Sequence, residues 1–288
     1  MHGPAALSFT FSDADIWMSE FRLRPDHPVW SRRSVTTSDA ILIAIPRTTV
    51  GISHEGRAEV IADPMCAVFY APGQPYRRRL LTAVGDDCTI IAISEELADA
   101  AHLPRLRDGE LPFTALALGK DEYESAHRAR RLAAASGRDS HDAVREEILW
   151  LVGRLAGRTR DKHGISNPGV PSSEVVARVR ETLGRDGVAN RSLGDLARSV
   201  NLSPFHLART FREHTGRPIH RYRTELRLRA SLAPISDGVR IADVAQDLGF
   251  ASHAHLTDRF RREFGTSPEG WRAALRSRPA QNSKIVEA

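Results

Sequence analysis

The sequence predicts an α+β protein in two parts: an N-terminal β-barrel or sandwich with supporting helices, then an all-α part holding two helix-turn-helix units. Three observations predict this. A pattern of apolar and turn residues in the C-terminal third occurs twice, 48 to 49 residues apart. Short strand-like runs alternate with turn signals between Ile41 and Ile93. From Asp121 to Arg160 the apolar spacing becomes helical.

The N-terminal strand candidates are Ile41 to Ile45, Ala58 to Ala62, Cys66 to Tyr70, Tyr76 to Leu81 and Cys88 to Ile93. Asp63-Pro64, Ala71-Pro72-Gly73 and Gly85-Asp86-Asp87 separate several of them, as turn residues should. Many short strands close together read as a sandwich or small barrel, here over residues 1–120. Over residues 121–160, Ala129, Leu132 and Ala133, then Val144, Ile148, Leu151, Val152 and Leu155, follow i, i+3, i+4 spacing and form an apolar stripe. The Gly-, Pro- and Ser-rich stretch Lys162 to Ser173 reads as an interdomain linker, set at 161–171, and 277–288 as a flexible tail.

The repeat occupies the rest. Leu193-Gly194-Asp195-Leu196-Ala197 returns as Ile241-Ala242-Asp243-Val244-Ala245, 48 residues on. Leu207, Phe211, Arg212 and Gly216 return 49 residues on as Leu256, Phe260, Arg261 and Gly265. Tyr222-Arg223 returns as Trp271-Arg272. One residue has therefore been added inside the second copy while the apolar spacing on both sides is intact. That pattern fits two helices joined by a turn that tolerates length change. A helix-turn-helix is such a unit, and its second helix is shaped for a DNA major groove. In the first copy Asn201 is placed to close a helix in the left-handed conformation, and Ser203-Pro204 supplies an N-cap with proline at the first helical position. In the second, Gly249 ends one helix and Ser252 caps the next.

The runs Leu193-x-x-Leu196-Ala197…Ser203-x-x-His206-Leu207-x-Arg209-x-Phe211-Arg212…Gly216-x-Pro218 and Ile241-Ala242-x-Val244-Ala245…Gly249-Phe250…His255-Leu256…Phe260-Arg261-Arg262-x-Phe264-Gly265-x-Ser267-Pro268-x-x-Trp271-Arg272 resemble the DNA-binding domain of the AraC/XylS family of bacterial transcription regulators. The resemblance covers residues 172–276. It implies a long helix joining the two units, here Ile219 to Leu232, ending near Pro234. Ala62-Asp63-Pro64…Phe69-Tyr70-Ala71-Pro72-Gly73-Gln74-Pro75-Tyr76-Arg77 resembles the cupin-like sensor domain often found ahead of that module. The resemblance implies an effector-responsive regulator, an activator by analogy. Its partners would be double-stranded promoter or operator DNA, RNA polymerase and a small-molecule effector of unknown identity. Helices such as 121–160 often pair two subunits in the family, which makes a homodimer through Val144, Ile148, Leu151 and Leu155 one expectation and packing on the barrel the other.

The expected DNA contacts are Ser203, Phe205, His206, Arg209 and Arg212 in the first unit. Ser252, His253, His255, Thr257, Asp258 and Arg261 are those of the second. Arg209 is the candidate for base reading, since a guanidinium can bond guanine O6 and N7 together. Its competing role is a surface ion pair. Asp258 departs from the basic or polar residue frequent there in the family, and a carboxylate would repel phosphate or accept from cytosine N4.

Composition agrees with a nucleic-acid partner. The net charge is +5, and residues 171–288 hold 20 Lys+Arg against 13 Asp+Glu, leaving 21 against 23 in residues 1–170. Cationic charge at the DNA-binding end would displace counterions from phosphates. With only three lysines, an arginine-biased composition explains part of this. No apolar run approaches the ~20 residues that span a bilayer, and Met1-His2-Gly3-Pro4 is unlike a signal peptide, so a soluble cytoplasmic protein is expected. Cys66 and Cys88 read as core thiols. His54 has no His-x-His companion, so a cupin-type metal triad lacks its ligands. His206, His253 and His255 read as groove-facing rather than zinc-binding. No catalytic motif, cofactor or metal is expected, and the alternatives are a repressor or architectural protein, or a metalloenzyme fused to a DNA module. Trp30, His54, Tyr70 and Tyr76 are candidates for a pocket lining and equally for plain core. Residues 171–278 are expected to fold and bind DNA alone.

Overall fold

The computed structural model describes residues 6–30, 32–105, 111–134, 138–160, 174–185 and 191–276. The linker expected over Lys162 to Ser173 and the tail at 277–288 lie outside the described residues. The strands form two antiparallel sheets. The larger runs in the order β1 (Ala6–Ser12), β2 (Ile16–Leu23), β9 (Asp86–Ile93), β4 (Ile41–Pro46), β7 (Cys66–Tyr70) and β10 (Ala115–Ala117). The smaller runs β3 (Arg33–Val35), β8 (Pro75–Leu80), β5 (Val50–His54) and β6 (Val60–Ala62). Ile41, Ile43, Phe69, Ile91 and Ile93 turn one face of the larger sheet toward helices. Leu42, Ala44, Val68 and Ile90 turn the other toward Val50 and Ile52 of the smaller sheet. Burial on both faces makes these strands nearly continuous apolar runs. The two sheets stay separate, so the architecture is a sandwich and not a closed barrel.

The helices α1 (Glu95–Ala100), α2 (Lys120–Ala134) and α3 (Arg138–Arg160) follow. Val144, Ile148, Leu151 and Leu155 of α3 are fully buried in a core shared with Tyr123, Ala126 and the larger sheet. The expectation that this stripe joins two subunits is therefore corrected: it closes the chain's own core. The outward face of α3 carries Leu149 and Trp150 instead. Helical periodicity shows that a face is apolar and cannot show what covers it.

The C-terminal helices are α4 (Glu174–Arg185), α5 (Leu193–Ser199), α6 (Pro204–Thr215), α7 (Ile219–Ser236), α8 (Ile241–Asp247), α9 (His253–Phe264) and α10 (Pro268–Arg276). Around α5 and α6, Leu196, Leu207, Phe211 and Tyr222 pack with Val176 and Val179 of α4 and with Met65 of the sandwich. Around α8 and α9, Val244, Leu256, Phe260 and Trp271 belong to the same core as α2 and α3. The connector α7 does not stop before Pro234; the proline lies inside it. A proline in the last turn removes one intrahelical bond, whereas buried Leu232 and Ile235 on either side hold the turn in place.

Burial also welds the two parts. Arg180 of α4 is 2% exposed and Asp63, between β6 and β7, is 0% exposed; they pair at 2.9 Å. Arg180 Nε donates to the Tyr222 hydroxyl at 2.7 Å, and that hydroxyl donates to Asp63 Oδ2 at 2.7 Å. Arg180 Nη2 reaches the Ile61 carbonyl at 2.7 Å, and Asp63 Oδ1 accepts from Met65 N at 2.9 Å. Burial opposes the Arg180 charge, and Asp63 together with Tyr222 and Cys66 more than offsets it, so its proton is held more tightly. Arg229 of α7, also buried, donates to the Pro64 carbonyl at 2.7 Å and the Leu118 carbonyl at 3.1 Å. A fragment 171–278 would leave both arginines without their sandwich partners.

Inside the sandwich Tyr70 lies between His54 and Tyr76, with ring centroids 4.9 Å away on each side, and Trp30 packs on the same cluster. Arg78 stacks over Phe21 and Tyr76 at 4.5 and 4.8 Å and pairs with Asp86 at 3.1 Å. Of the four residues weighed as pocket lining, His54 and Tyr70 are buried, and Trp30 and Tyr76 are half-buried against the same core. Burial, helped by Arg57, pushes the His54 imidazole down to about 4, and its Nε2 has no hydrogen-bond partner. Buried His127, beside Ser236 at 3.0 Å, is lowered in the same direction by burial and by neighbouring arginines. Cys66 and Cys88 are free and buried.

Two outcomes are expected. Removing one partner of a buried pair costs about 3–5 kcal/mol, whereas replacing both by groups of similar volume costs much less. Urea unfolding should therefore show Arg180→Met to be less stable than the double variant Asp63→Asn with Arg180→Met. Equal stability of the two would mean that Asp63 does not depend on Arg180. The second outcome concerns pH. An unfolded histidine takes its proton near 6.5 and the folded His54 only near 4, so stability falls as the pH is lowered from 6.5 toward 4. Between pH 7 and 5 the parent should lose about 1–2 kcal/mol more than His54→Gln. Parallel losses would remove His54 as the cause.

Candidate nucleic-acid interface

Each C-terminal unit is assembled by local chemistry. At the start of α5 the Asp195 amide donates to Ser192 Oγ at 3.1 Å, and the Ser192 amide donates to Asp195 Oδ2 at 3.1 Å, a reciprocal cap. The helix ends at Asn201, whose φ of 55° is left-handed, and the Leu202 amide then donates to the Ala197 carbonyl at 3.0 Å. Ser203 Oγ accepts from the His206 amide at 3.2 Å to open α6, with Pro204 in its first turn where no amide is needed. The second unit repeats the plan. Gly249 has φ 66°, the Phe250 amide donates to the Ala245 carbonyl at 2.8 Å, and Ser252 Oγ accepts from the His255 amide at 3.1 Å. The additional residue of the second copy is Ala251, between the turn bond and the cap, where length can change without moving either helix's buried face. Gly216 and Gly265 end α6 and α9 in the left-handed conformation.

With Leu207 and Phe211 buried, α6 leaves Ser203, Phe205, His206, Arg209 and Arg212 at the surface. Phe205 is 79% exposed, a large apolar ring that none of the described residues covers. A groove of ≈ 750 Å³ beside it is lined by Leu193, Phe205, Arg209, Arg212 and His220. Arg209 Nε pairs with Glu213 Oε1 at 2.9 Å, an exposed contact of the kind worth under about 1 kcal/mol. The surface ion pair weighed against base reading is therefore present, and it is weak enough for a guanine to displace.

On α9, Ser252, His253, His255, Asp258 and Arg261 are exposed. His253 Nε2 lies 3.3 Å from Glu269 of α10, and the His255 ring meets Phe250 edge-on at 5.6 Å. Thr257 differs from its expected place: it is half-buried, with a buried Oγ1 that has no partner. Asp258 is paired with Arg262 at 3.1 Å, so its charge is partly offset on the helix itself. Arg259 and Arg262, exposed on the same helix, were absent from the sequence expectation. The i, i+4 step from His255 to Arg259 and from Asp258 to Arg262 was the available signal. Among the described residues no group of three His, Cys, Asp or Glu could hold a metal ion, and no helix is long and apolar enough to cross a membrane.

A helix-turn-helix domain model matches residues 196–274. The chain is 30% identical over 201 residues to the HTH-type transcriptional regulator YbfI of Bacillus subtilis (strain 168), covering 69% of this chain and 72% of that one. It is 36% identical over 74 residues to the HTH-type transcriptional regulator GlxA of Rhizobium meliloti (strain 1021), covering 25% and 23%. Among solved structures it is similar to unsaturated fatty acid-bound ToxT of Vibrio cholerae, with a TM-score of 0.38 at 11% identity over 93% of this chain and 99% of that one. Two tandem units with the same caps, turn bonds and left-handed closures, and a relative aligned over most of its length, give one conclusion: this chain belongs to the AraC-type helix-turn-helix transcriptional regulators, and its C-terminal helices carry that family's DNA-binding domain.

Proposed function

We propose that the protein is an effector-responsive transcriptional activator that reads promoter DNA with the exposed faces of α6 and α9. The observation that carries this reading is the matched construction of the two helices. Each is capped by a serine, anchored by a leucine and a phenylalanine four residues apart, and left with its first turns at the surface. On this reading residues 172–276 bind DNA and residues 1–120 sense a small molecule. Arg209 supplies base reading, Phe205 is placed for a thymine methyl, and Arg212 and Arg261 hold phosphate. His253, His255 and Asp258 face DNA from the second helix, with Arg262 keeping Asp258 from repelling the backbone. Activation and contact with RNA polymerase in the cytoplasm follow the family resemblance. Pairing of two copies through α3 would have to use Leu149 and Trp150 rather than the buried stripe.

The test compares a selected operator with random duplex by fluorescence anisotropy. Arg209→Ala should cost about 1–3 kcal/mol on the preferred site and relax preference at one base pair. Arg212→Ala should weaken both duplexes alike and reduce the salt slope by about one. Equal losses on both duplexes for Arg209→Ala would leave it a phosphate contact only.

A further inference from the structure

The repeat contains a reversal of charge. Arg209 of α6 and the residue 49 places on, Asp258 of α9, occupy corresponding positions, and so do Glu213 and Arg262. Each helix joins its own two by an ion pair across one turn, Arg209 to Glu213 at 2.9 Å and Asp258 to Arg262 at 3.1 Å, with the signs exchanged. Both Arg209 and Asp258 are exposed, and each lies midway between the buried anchors of its helix, Leu207 and Phe211 in α6, Leu256 and Phe260 in α9. Two residues are about 200° of helix, so each stands about 160° round from both anchors, at the centre of the exposed face. The neighbour one turn earlier also differs, Phe205 in α6 and Ala254 in α9. A large ring and a long arginine hold α6 off the floor of a groove. A small alanine lets α9 seat more deeply, which a short carboxylate requires if it is to reach a base.

We infer that Asp258 is the base-reading residue of the second unit and selects cytosine, where Arg209 of the first selects guanine. The inference rests on the DNA-reading function of α6 and α9 and names the base that α9 takes. In the major groove only cytosine N4 and adenine N6 present N–H donors. An ionised carboxylate can only accept. Adenine sets its N7 acceptor beside N6, lone pair against lone pair, whereas cytosine has a C–H beside N4. Cytosine is therefore the base that fits. Arg262 balances the charge of Asp258, so the pair enters the groove between two phosphate backbones with no net negative charge. An exposed pair of this kind is weak and leaves carboxylate lone pairs free for N4. The two units then ask for unlike bases at corresponding positions. The operator has a direction, and its two parts are not copies of one sequence.

The experiment selects bound duplexes from a random pool with the full-length chain and reads the base retained at each position. The proteins are the parent, Asp258→Ala, Asp258→Asn and Arg262→Ala, and since both side chains are exposed no variant loses a buried contact. The parent should retain cytosine at one position that Asp258→Ala leaves open, with every other position unchanged. Asp258→Asn should retain adenine there, because an amide accepts from N6 and donates to N7 together. Arg262→Ala should keep the cytosine. In fluorescence anisotropy, replacing that C·G pair by T·A should weaken the parent about tenfold or more and leave Asp258→Ala nearly indifferent. Asp258→Ala should also bind random duplex more tightly than the parent, since an anion facing phosphates has gone. The same cytosine retained by both Asp258 variants, or no parental cytosine that depends on Asp258, would overturn the assignment. So would loss of the preference in Arg262→Ala, which would make Arg262 the reader, of guanine on the opposite strand, with Asp258 only positioning it. A parent that selects no sequence would overturn the DNA-reading function itself, whereas a selective parent whose preferences ignore Asp258 overturns this inference alone.

Discussion

A guanidinium with almost no access to water has to be matched where it lies, and Arg180 is matched by two separate parts of the chain. Asp63 comes from the turn between two strands and Tyr222 from the connecting helix, and the three groups close a ring of hydrogen bonds around one buried charge. A buried ion pair adds little net stability compared with apolar packing, yet breaking it is costly. Its effect here is geometric: few relative placements of sandwich, α4 and α7 satisfy all three groups at once. Arg229 adds a second fixed point by binding the Pro64 and Leu118 carbonyls. The close approach of α4 to the sandwich follows, with Gly184 so near Thr49 that a Cβ there would fall 2.3–2.5 Å from its side chain. The setting of the first reading unit depends on this placement.

How much of this could be read beforehand depended on whether the cause was local. Helix ends in the C-terminal part are set by residues within four positions of each other, so Asn201, Ser203, Gly249 and Ser252 disclosed them. Strands buried on both faces disclosed themselves as apolar runs. The strands that escaped notice are short, as β3 and β10 are, or mix polar with apolar residues, as β1, β2 and β5 do. What pairs with what was not legible. The α3 stripe was apolar in either reading, and only the fold shows that α2 and the larger sheet cover it.

Charged residues were the harder case. Arg180 lies on the Val176, Val179 and Leu183 stripe of α4, and an arginine on an apolar stripe was a visible anomaly whose partner, 117 residues earlier, was not. Arg78 sits at an inward register between Arg77 and Arg79, so strand alternation alone pointed one of the three into the sandwich. Among the expected DNA contacts, exposure separates Thr257 from the rest, since its hydroxyl is buried while its neighbours on α9 reach water.

The single added residue of the second copy, Ala251, lies in a turn and not in the connector, and the difference carries a constraint on phase. The connector has 18 residues, about 27 Å of rise at 1.5 Å per residue. One turn of DNA is about 34 Å, so a rod of this length is of the order needed to set two reading helices against successive stretches of groove. An extra residue in a turn is absorbed locally. An extra residue within α7 would rotate everything beyond it by about 100° and push it along by about 1.5 Å, swinging α9 away from the surface α6 addresses. The helix thus acts as a protractor as well as a ruler, and its interior has far less freedom to change length than the loops at its ends.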